Sequence, residues 1–235
     1  MAELFGFRIT RANQDGGSDA FTAPSTDDGT FDVVSGGGHY ASILDMDGRE
    51  KNDLDLIRRY RDIAQQPECD SAIEDIANEA IVSDERDKSV SLSLDNLKVS
   101  PNIKSKIREE FDEVLRLLDF NAKGHDIFRR WYVDGRLYYH KVIDTKSPRK
   151  GMQEVRYVDP RKIKKVREQR KEKDQKTGLD MVKAIEDFYL YNEKGLDGAA
   201  GTSSGVKITS DSIAYCPSGL VDMHKGTVLS HLNKA

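Results

Sequence analysis

Apolar residues recur at helical spacing through the first half of the chain. The first stripe consists of Leu54, Ile57, Tyr60, Ile63 and Ala64. Spacings of three and four residues place such side chains on one face of an α-helix. A second helix is predicted from Pro67 to Ala80, because proline suits a first turn and acidic residues there complement the helix dipole. Its predicted buried stripe is Cys69, Ala72, Ile73, Ile76, Ala77 and Ala80.

Two further helices precede the first long strand. Ser100 and Pro101 form a cap and a first turn, and the amphipathic helix that they begin is predicted to run to about Asp119. Its stripe is Ile103, Ile107, Phe111, Val114, Leu115 and Leu118. A helix over residues 122–133 then leads to Asp134 and Gly135, which form a turn into a strand over Arg136–Ile143.

The period of the pattern changes to two in several short segments. Val90, Leu92 and Leu94 alternate with polar residues, which predicts a half-buried strand over residues 89–97. In the second half of the chain, apolar residues form short runs between polar or glycine-rich turns, which is typical of a small β-rich unit. From Lys225 onward a helical pattern returns with Val228, Leu229 and Leu232, which predicts the start of another helix.

The beginning of the chain has a different composition. Residues 13–48 are rich in Gly, Ser, Thr and Asp, with isolated apolar residues such as Phe31, Val33 and Val34. Such a segment buries too little surface to order by itself. We therefore predict an α+β fold with four parts. They are a flexible acidic arm over 1–48, a mainly helical segment over 49–145, a small β-rich unit over 146–222, and the start of a helix over 223–235.

Charge changes this picture only locally. The 235 residues carry a formal net charge of -4, so global charge indicates no partner. Residues 161–176 are strongly basic, and the candidate electrostatic contacts among them are Arg161, Lys162, Lys164, Lys165 and Arg167. This basic run is either a solvated hairpin or a contact with nucleic acid or an acidic partner, because each cation can neutralise a phosphate. The interleaved Ile163 and Val166 argue against a base-stacking platform, which requires aromatic residues.

No local pattern indicates a catalytic site. The strongest enzymatic alternative is a magnesium-dependent nuclease, in which Asp159 and Asp174 would hold the metal beside Lys176. Asp174 and Lys176 lie in a polar turn instead of a rigid strand, which favours a hairpin tip over a catalytic triad. We expect no catalytic residue, no cofactor and no resident metal.

Four segments occur in an order that is more informative than any one of them. They are YRDIA at 60–64 leading into PECDSAIEDIANEA at Pro67–Ala80, WYVDGRLYYH at 131–140, YVDPRKI at 157–163 and SGLVD at 218–222. Each segment has an ordinary structural explanation by itself. Their order resembles the portal proteins of T-even-like tailed bacteriophages, and the resemblance covers about residues 50–235.

The resemblance implies a structural subunit of a ring at one capsid vertex, dodecameric when full length, and not an enzyme. Such a ring nucleates head assembly and contacts the major capsid protein and scaffold. It binds the terminase large subunit and later neck proteins, and it passes double-stranded DNA during packaging and ejection. The resemblance implies a location in the virion, with assembly in the host cytoplasm or at the inner membrane.

Portal proteins of this family continue into stem helices, a clip and a crown, so we expect channel and motor-docking residues to lie beyond Ala235. The present chain would then be the wing, the outer α+β part of the subunit. Within it, the helix from Pro67 to Ala80 is predicted to pack at subunit contacts. The candidate packing residues are Ile73, Ile76 and Ala77.

Overall fold

Three short strands, then four consecutive α-helices, then the remaining strands follow one another along the described part of the chain. The computed structural model describes residues 2–4, 7–9, 28–35, 46–82, 89–144, 146–173, 180–196, 205–222 and 226–235. Its α-helices are α1 (Met46–Ile63), α2 (Pro67–Ala80), α3 (Pro101–Leu118) and α4 (Phe120–Asp134). The predicted α+β class is confirmed, as are the predicted helices that precede Gly135.

The strands form two principal sheets. In chain order they are β1 (Ala2–Leu4), β2 (Phe7–Ile9), β3 (Phe31–Ser35), β4 (Arg136–Ile143), β5 (Met152–Val158), β6 (Ile163–Lys173), β7 (Asp180–Tyr191), β8 (Val206–Thr209), β9 (Ile213–Pro217), β10 (Val221–Asp222) and β11 (Thr227–Val228). One sheet has the order β3-β6-β7-β8 and the other has the order β5-β4-β9. β3 runs parallel to β6, whereas the other neighbours in these sheets are antiparallel. The predicted strand over Arg136–Ile143 is confirmed.

A shared apolar cluster holds the two sheets together. Tyr138 of β4 and Ile213 of β9 pack with Ile163 of β6 and Tyr189 of β7, and all four side chains are buried. Burying a large apolar side chain contributes about 1.5–3 kcal/mol. Tyr138 also stacks on Tyr215, with ring centroids 4.7 Å apart. The sheets therefore form one packed β unit.

A second core joins the helices to the end of the chain. Tyr60 of α1, Ile73 of α2 and Val133 of α4 pack with Leu232, which lies in a 3₁₀ turn over His231–Lys234. The hydroxyl of Tyr60 donates a hydrogen bond of 2.8 Å to the Asn233 side chain. Residues more than 170 positions apart in sequence thus close this core together.

The turn between α4 and β4 requires glycine. Gly135 has φ +70°, and a Cβ atom at this position would lie 2.6 Å from the backbone oxygen of Leu229. Both the left-handed conformation and the close approach of the backbone exclude a larger residue. The predicted reversal at Asp134 and Gly135 is confirmed, and it sets the direction in which β4 enters its sheet.

The prediction of a strand over residues 89–97 is wrong. Leu94 is buried and its neighbours Ser93 and Asp95 are exposed, so the alternation of burial is present. No partner strand pairs with this segment within the described residues, and the chain turns where the Leu97 N–H donates to the Leu94 carbonyl. Alternating apolar and polar residues determine which side of an extended segment is buried. A β-strand also needs a neighbouring strand to which its backbone is hydrogen-bonded.

The prediction of a helix from Lys225 is also wrong. Thr227 and Val228 form β11, which pairs antiparallel with β10. Gly226 in a left-handed conformation and the Ser230 side chain, which accepts from the Leu232 N–H, mark the turns on either side. Val228 is fully buried, so its apolar character reflects strand packing and not a helical stripe.

The predicted arm over 1–48 includes residues that belong to the fold. Phe31 in β3 lies opposite Val166 of β6 and is buried against it, and α1 already begins at Met46. Asp28 accepts a hydrogen bond of 2.5 Å from the Lys165 side chain. The β1–β2 pair also lies in the predicted arm, whereas residues 10–27 and 36–45 are outside the described part of the chain.

The predicted helical and β-rich segments share a sheet. β4 belongs by sequence to the segment 49–145, yet it pairs with β5 and β9 from the segment 146–222. The boundary near residue 145 stays a prediction. Among the described helices, none is both long enough and apolar enough to cross a membrane.

Candidate functional site

Helix α2 presents one face to the chain's own core and another to solvent. Ile73 and Ala77 are 2% and 0% exposed, and Ile73 packs with Tyr60 and Val133. Ile76 is 37% exposed. Ala72 and Ala80, which were predicted in the buried stripe, are also exposed. Of the three candidate packing residues, only Ile76 therefore offers its side chain to a partner in this structure.

Polar side-chain contacts join α2 to α4. The Arg129 guanidinium lies 2.5 Å from Asp70 and 3.2 Å from Glu74, and His125 lies 3.3 Å from Glu74. These groups are partly exposed, so each pair contributes little stability. Burial of Ile73 and Ala77 therefore mainly determines which side of α2 faces solvent.

The basic run over 161–176 does not form a free cationic face. Arg161 lies 2.9 Å from Asp159, Lys165 lies 2.5 Å from Asp28, and Arg167 lies 2.8 Å from Asp187. Lys164 is 4% exposed, with its ammonium 5.9 Å from the centre of the Phe31 ring. Lys162 is half-buried, and its N–H donates to the Asp159 carbonyl.

Most of these cations are therefore engaged within the chain. The carboxylate partners of Lys165 and Arg167 come from both sides of the central strand β6, because Asp28 precedes β3 and Asp187 lies in β7. Arg161 precedes β6 and pairs with Asp159, which lies two residues earlier in the chain. The hairpin arrangement is confirmed, since β6 and β7 pair along their length up to Lys173 and Asp180. Residues 174–179, which include Asp174 and Lys176, lie outside the described residues.

A partly buried ionic cluster connects the helices to the β unit. The Arg61 guanidinium of α1 donates to both carboxylate oxygens of Asp134, at 2.8 and 2.7 Å. The same guanidinium donates to Asp159 at 3.2 and 3.3 Å. Asp134 ends α4 and Asp159 follows β5, so one side chain joins three elements. Hydrogen bonding to Asp134, opposed by burial, raises the pKa of Arg61 above its ordinary value.

Asp159 has no capacity left for a metal ion. Burial alone would raise its pKa, but hydrogen bonds from Arg161 and Arg61 outweigh that effect and hold the pKa well below its ordinary range. Two guanidinium groups and the Arg161 N–H occupy its oxygens. Within the described ranges no group of three or more potential metal-ligating side chains occurs.

A second buried pair lies nearby. Arg136 of β4 donates to both oxygens of Asp53 in α1, at 2.6 and 3.0 Å, and to the backbone oxygen of Val228 at 2.6 Å. The Arg136 side chain is only 5% exposed. Arg61, Asp134, Asp159 and Arg136 all lie in the four segments whose order resembles that of portal proteins. The sequence does not indicate which of these cations pairs with which carboxylate. Their charges come together only when the helices pack against the sheets.

Comparison with known proteins gives these features a context. Residues 53–235 match the family model described as Bacteriophage T4-like portal protein (Gp20). The portal protein of Vibrio phage KVP40 is 34% identical over 216 residues, which cover 86% of this chain and 41% of that protein. The portal protein of Salmonella phage ViI is 28% identical over 215 residues, which cover 86% of this chain and 38% of that protein. The chain spans about two fifths of the length of these relatives, and it belongs to the family of T4-like bacteriophage portal proteins.

Proposed function

We propose that this chain forms the wing of a portal subunit. The wing is the outer part of each subunit in a ring that occupies one capsid vertex. The match of residues 53–235 to the portal family carries this proposal. The described fold supports it, because its charged clusters consist of paired cations and carboxylates that join elements to one another. Asp134, Asp159 and Arg136 form contacts of this kind, which suit a rigid building block.

The proposed ring is a homododecamer that nucleates head assembly together with the major capsid protein and scaffold. It receives the terminase large subunit during packaging and neck proteins afterwards, and double-stranded DNA passes through its channel. We place it in the virion at the portal vertex, with assembly in the host cytoplasm. The proposed role is structural and requires no cofactor, because the energy of packaging comes from the terminase.

Ring formation can be tested directly. The protein expressed from its complete gene is expected to sediment as a single large oligomer and to show twelve-fold rings in negatively stained images. Mass photometry of the same sample should give twelve times the subunit mass. A monomeric or dimeric protein at concentrations far above those used for imaging would contradict the proposal.

We also propose that the solvent-facing side of α2 contributes to contacts between neighbouring subunits. Ile76 is a large apolar side chain that remains 37% exposed, and Asp75 and Glu79 are exposed close to it. Burial of this side chain against a second subunit would remove apolar surface from water. Ile73 and Ala77 on the buried side of α2 support the contact indirectly, because they hold the helix in place.

The nuclease alternative is not favoured. Asp159 is fully engaged with Arg61 and Arg161, so a metal ion would have to displace two guanidinium groups. Incubation of duplex DNA with the protein and Mg²⁺ is expected to leave the DNA intact. Cleavage that Asp159→Asn abolishes would restore the nuclease as a candidate.

A further inference from the structure

Between β4 and β5, residues 146–151 form a turn that presents cations to solvent. The Lys146 N–H donates to the Asp144 carboxylate at 2.9 Å, and the Ser147 N–H donates to the Asp144 carbonyl at 3.1 Å. A 3₁₀ turn over Pro148–Lys150 follows, and the Gln153 side chain donates to the Lys150 carbonyl at 3.1 Å. These bonds connect the turn to Asp144 on one side and to Gln153 of β5 on the other.

The charged side chains of this turn have no carboxylate partner. Lys146, Arg149 and Lys150 are all exposed, and in the described part of the chain none of them forms an ion pair. The nearest acidic groups in sequence, Asp144 and Glu154, form no ion pair with these cations. Asp144 accepts the N–H of Lys146, and Glu154 pairs with Arg156 at 2.6 Å. The three cations, here called the basic turn, contrast with the neutralised cations of β6.

We propose that the basic turn binds the phosphate backbone of double-stranded DNA. Three unpaired cations within five residues can each neutralise a phosphate and release a counterion, which is the main source of sequence-independent affinity. A protein partner would need an apolar anchor in the centre of its contact. Pro148 is the exposed apolar residue that the turn offers, and the other side chains there are polar or charged. The chemistry of the turn therefore fits phosphate better than a protein surface.

This contact goes beyond the proposed ring function, because it concerns the outer α+β part of the subunit and needs no ring. DNA binding by the basic turn and ring formation are measured separately, so either can fail without the other. The contact should also be independent of base sequence, since backbone phosphates carry no sequence information.

Fluorescence anisotropy with a short labelled DNA duplex tests the proposal at several salt concentrations. With three phosphates contacted, the logarithm of the association constant should fall with the logarithm of salt concentration with a slope of about -2.7. The variant K146Q/R149Q/K150Q should lose most of this slope and bind at least about tenfold more weakly at low salt. Arg149→Lys keeps the charge and should keep the binding. All these positions are exposed, so circular dichroism and the urea midpoint should not change.

The control variant K98Q/K106Q/R108Q removes the same charge from exposed positions in and before α3. It should bind the duplex as the unaltered chain does. An equal loss of affinity in the control would show a general effect of net charge and would overturn the proposal. Unchanged binding by K146Q/R149Q/K150Q would also overturn it. Binding of polyglutamate through the basic turn, with no binding of the duplex, would assign the turn to an acidic protein partner instead.

Discussion

Arg61 and Asp134 form a two-pronged ion pair in which the guanidinium Nε and Nη2 atoms lie 2.8 and 2.7 Å from the two carboxylate oxygens. The Asp134 side chain is 3% exposed, whereas that of Arg61 is 27% exposed. Because Asp134 lies between α4 and the turn into β4, this pair links the position of α1 to the path of the chain into the sheet.

Replacement of Arg61 by Ala should destabilise the protein by about 3–5 kcal/mol, because it leaves the buried Asp134 carboxylate without its partner. Arg61→Lys should recover only part of this loss, since an ammonium cannot reproduce the planar two-pronged geometry. Urea denaturation followed by circular dichroism measures both variants. Arg58→Ala removes an arginine of the same helix from an exposed pair with Asp55 and should change the free energy of unfolding by less than about 1 kcal/mol. Equal effects at the two positions would contradict the structural role of Arg61.

Low pH should reduce the free energy of unfolding, in part because Asp159 becomes protonated. The pKa of Asp159 is raised by burial and lowered more strongly by hydrogen bonds from Arg161 and Arg61, so the net shift is downward. A carboxylate with a depressed pKa in the folded state stabilises the fold above its unfolded pKa of about 3.9. This stabilisation decreases as the pH falls below the pKa of the unfolded chain. It is lost when the pH also falls below the lower pKa that Asp159 has in the folded protein. Asp159→Asn should therefore be less stable than the unaltered protein at pH 7, and the difference should narrow below about pH 4.

Urea midpoints measured from neutral to acidic pH test this expectation. Asp62→Asn removes one negative charge at an exposed position beside Arg61 and serves as the control. It should reduce stability at pH 7 much less than Asp159→Asn does. A constant difference between Asp159→Asn and the unaltered protein across the whole pH range would show that the carboxylate charge is not the cause.

Ile73 should behave as a core residue of the subunit itself. It is 2% exposed and packs with Tyr60, Val133 and Leu232. Ile73→Ala should lower the free energy of unfolding by about 2–5 kcal/mol, and Ile73→Val by about 0.5–1.5 kcal/mol. Both losses should be present in the isolated chain, before any assembly. Thermal and urea unfolding of the chain measure them, and a loss confined to the assembled ring would place Ile73 at an interface instead.

Ile76 should affect assembly without affecting the fold of the subunit. Ile76→Asp places a charge on the solvent-facing side of α2 and should change the stability of the isolated chain by less than about 1 kcal/mol. In the protein expressed from its complete gene, it should reduce the fraction of rings seen by mass photometry and negative staining. Ile143→Asp makes the same substitution at a 47% exposed position at the end of β4 and is the matched control. If Ile76→Asp assembles as fully as Ile143→Asp, α2 does not contribute to the subunit contact.

The local elements were predictable because their signals lie close together in sequence. The proline at position 67 and the apolar spacing after it predicted α2 with the bounds that the structure has. The Asp134-Gly135 turn and the strand after it were equally visible. The strand over 89–97 was not correctly predicted, because its alternating pattern says nothing about a pairing partner. β3 was missed for the opposite reason, since Phe31 and Val33 lie in a polar segment and become a strand only beside β6.

The candidate residues show the same division. The basic run over 161–176 is conspicuous in sequence, yet Asp28, Asp159 and Asp187 neutralise three of its cations. Asp28 is distant in sequence, Asp159 is two residues from Arg161, and Asp187 lies in the adjacent strand β7. The basic turn between β4 and β5 has fewer charges and gave no signal, although its cations remain unpaired. A count of charges along the chain cannot show which of them meet a carboxylate. In α2, likewise, the spacing of apolar residues identified a stripe. It could not show that Ile73 is buried within the subunit whereas Ile76 is exposed.

By itself, the sequence determined the α+β class, the helices that precede Gly135, the turn into β4 and the resemblance to portal proteins. These features depend on spacings of a few residues and on the order of short segments, which a single chain displays directly. Only the tertiary structure decided that α1 is tied to α4 through Arg61 and Asp134, that β3 joins β6, and which cations stay free. Such pairings bring together residues that are far apart in sequence, as in Lys165 with Asp28, which are 137 positions apart. Their partners are selected by the packing of helices and sheets, which local spacing does not encode.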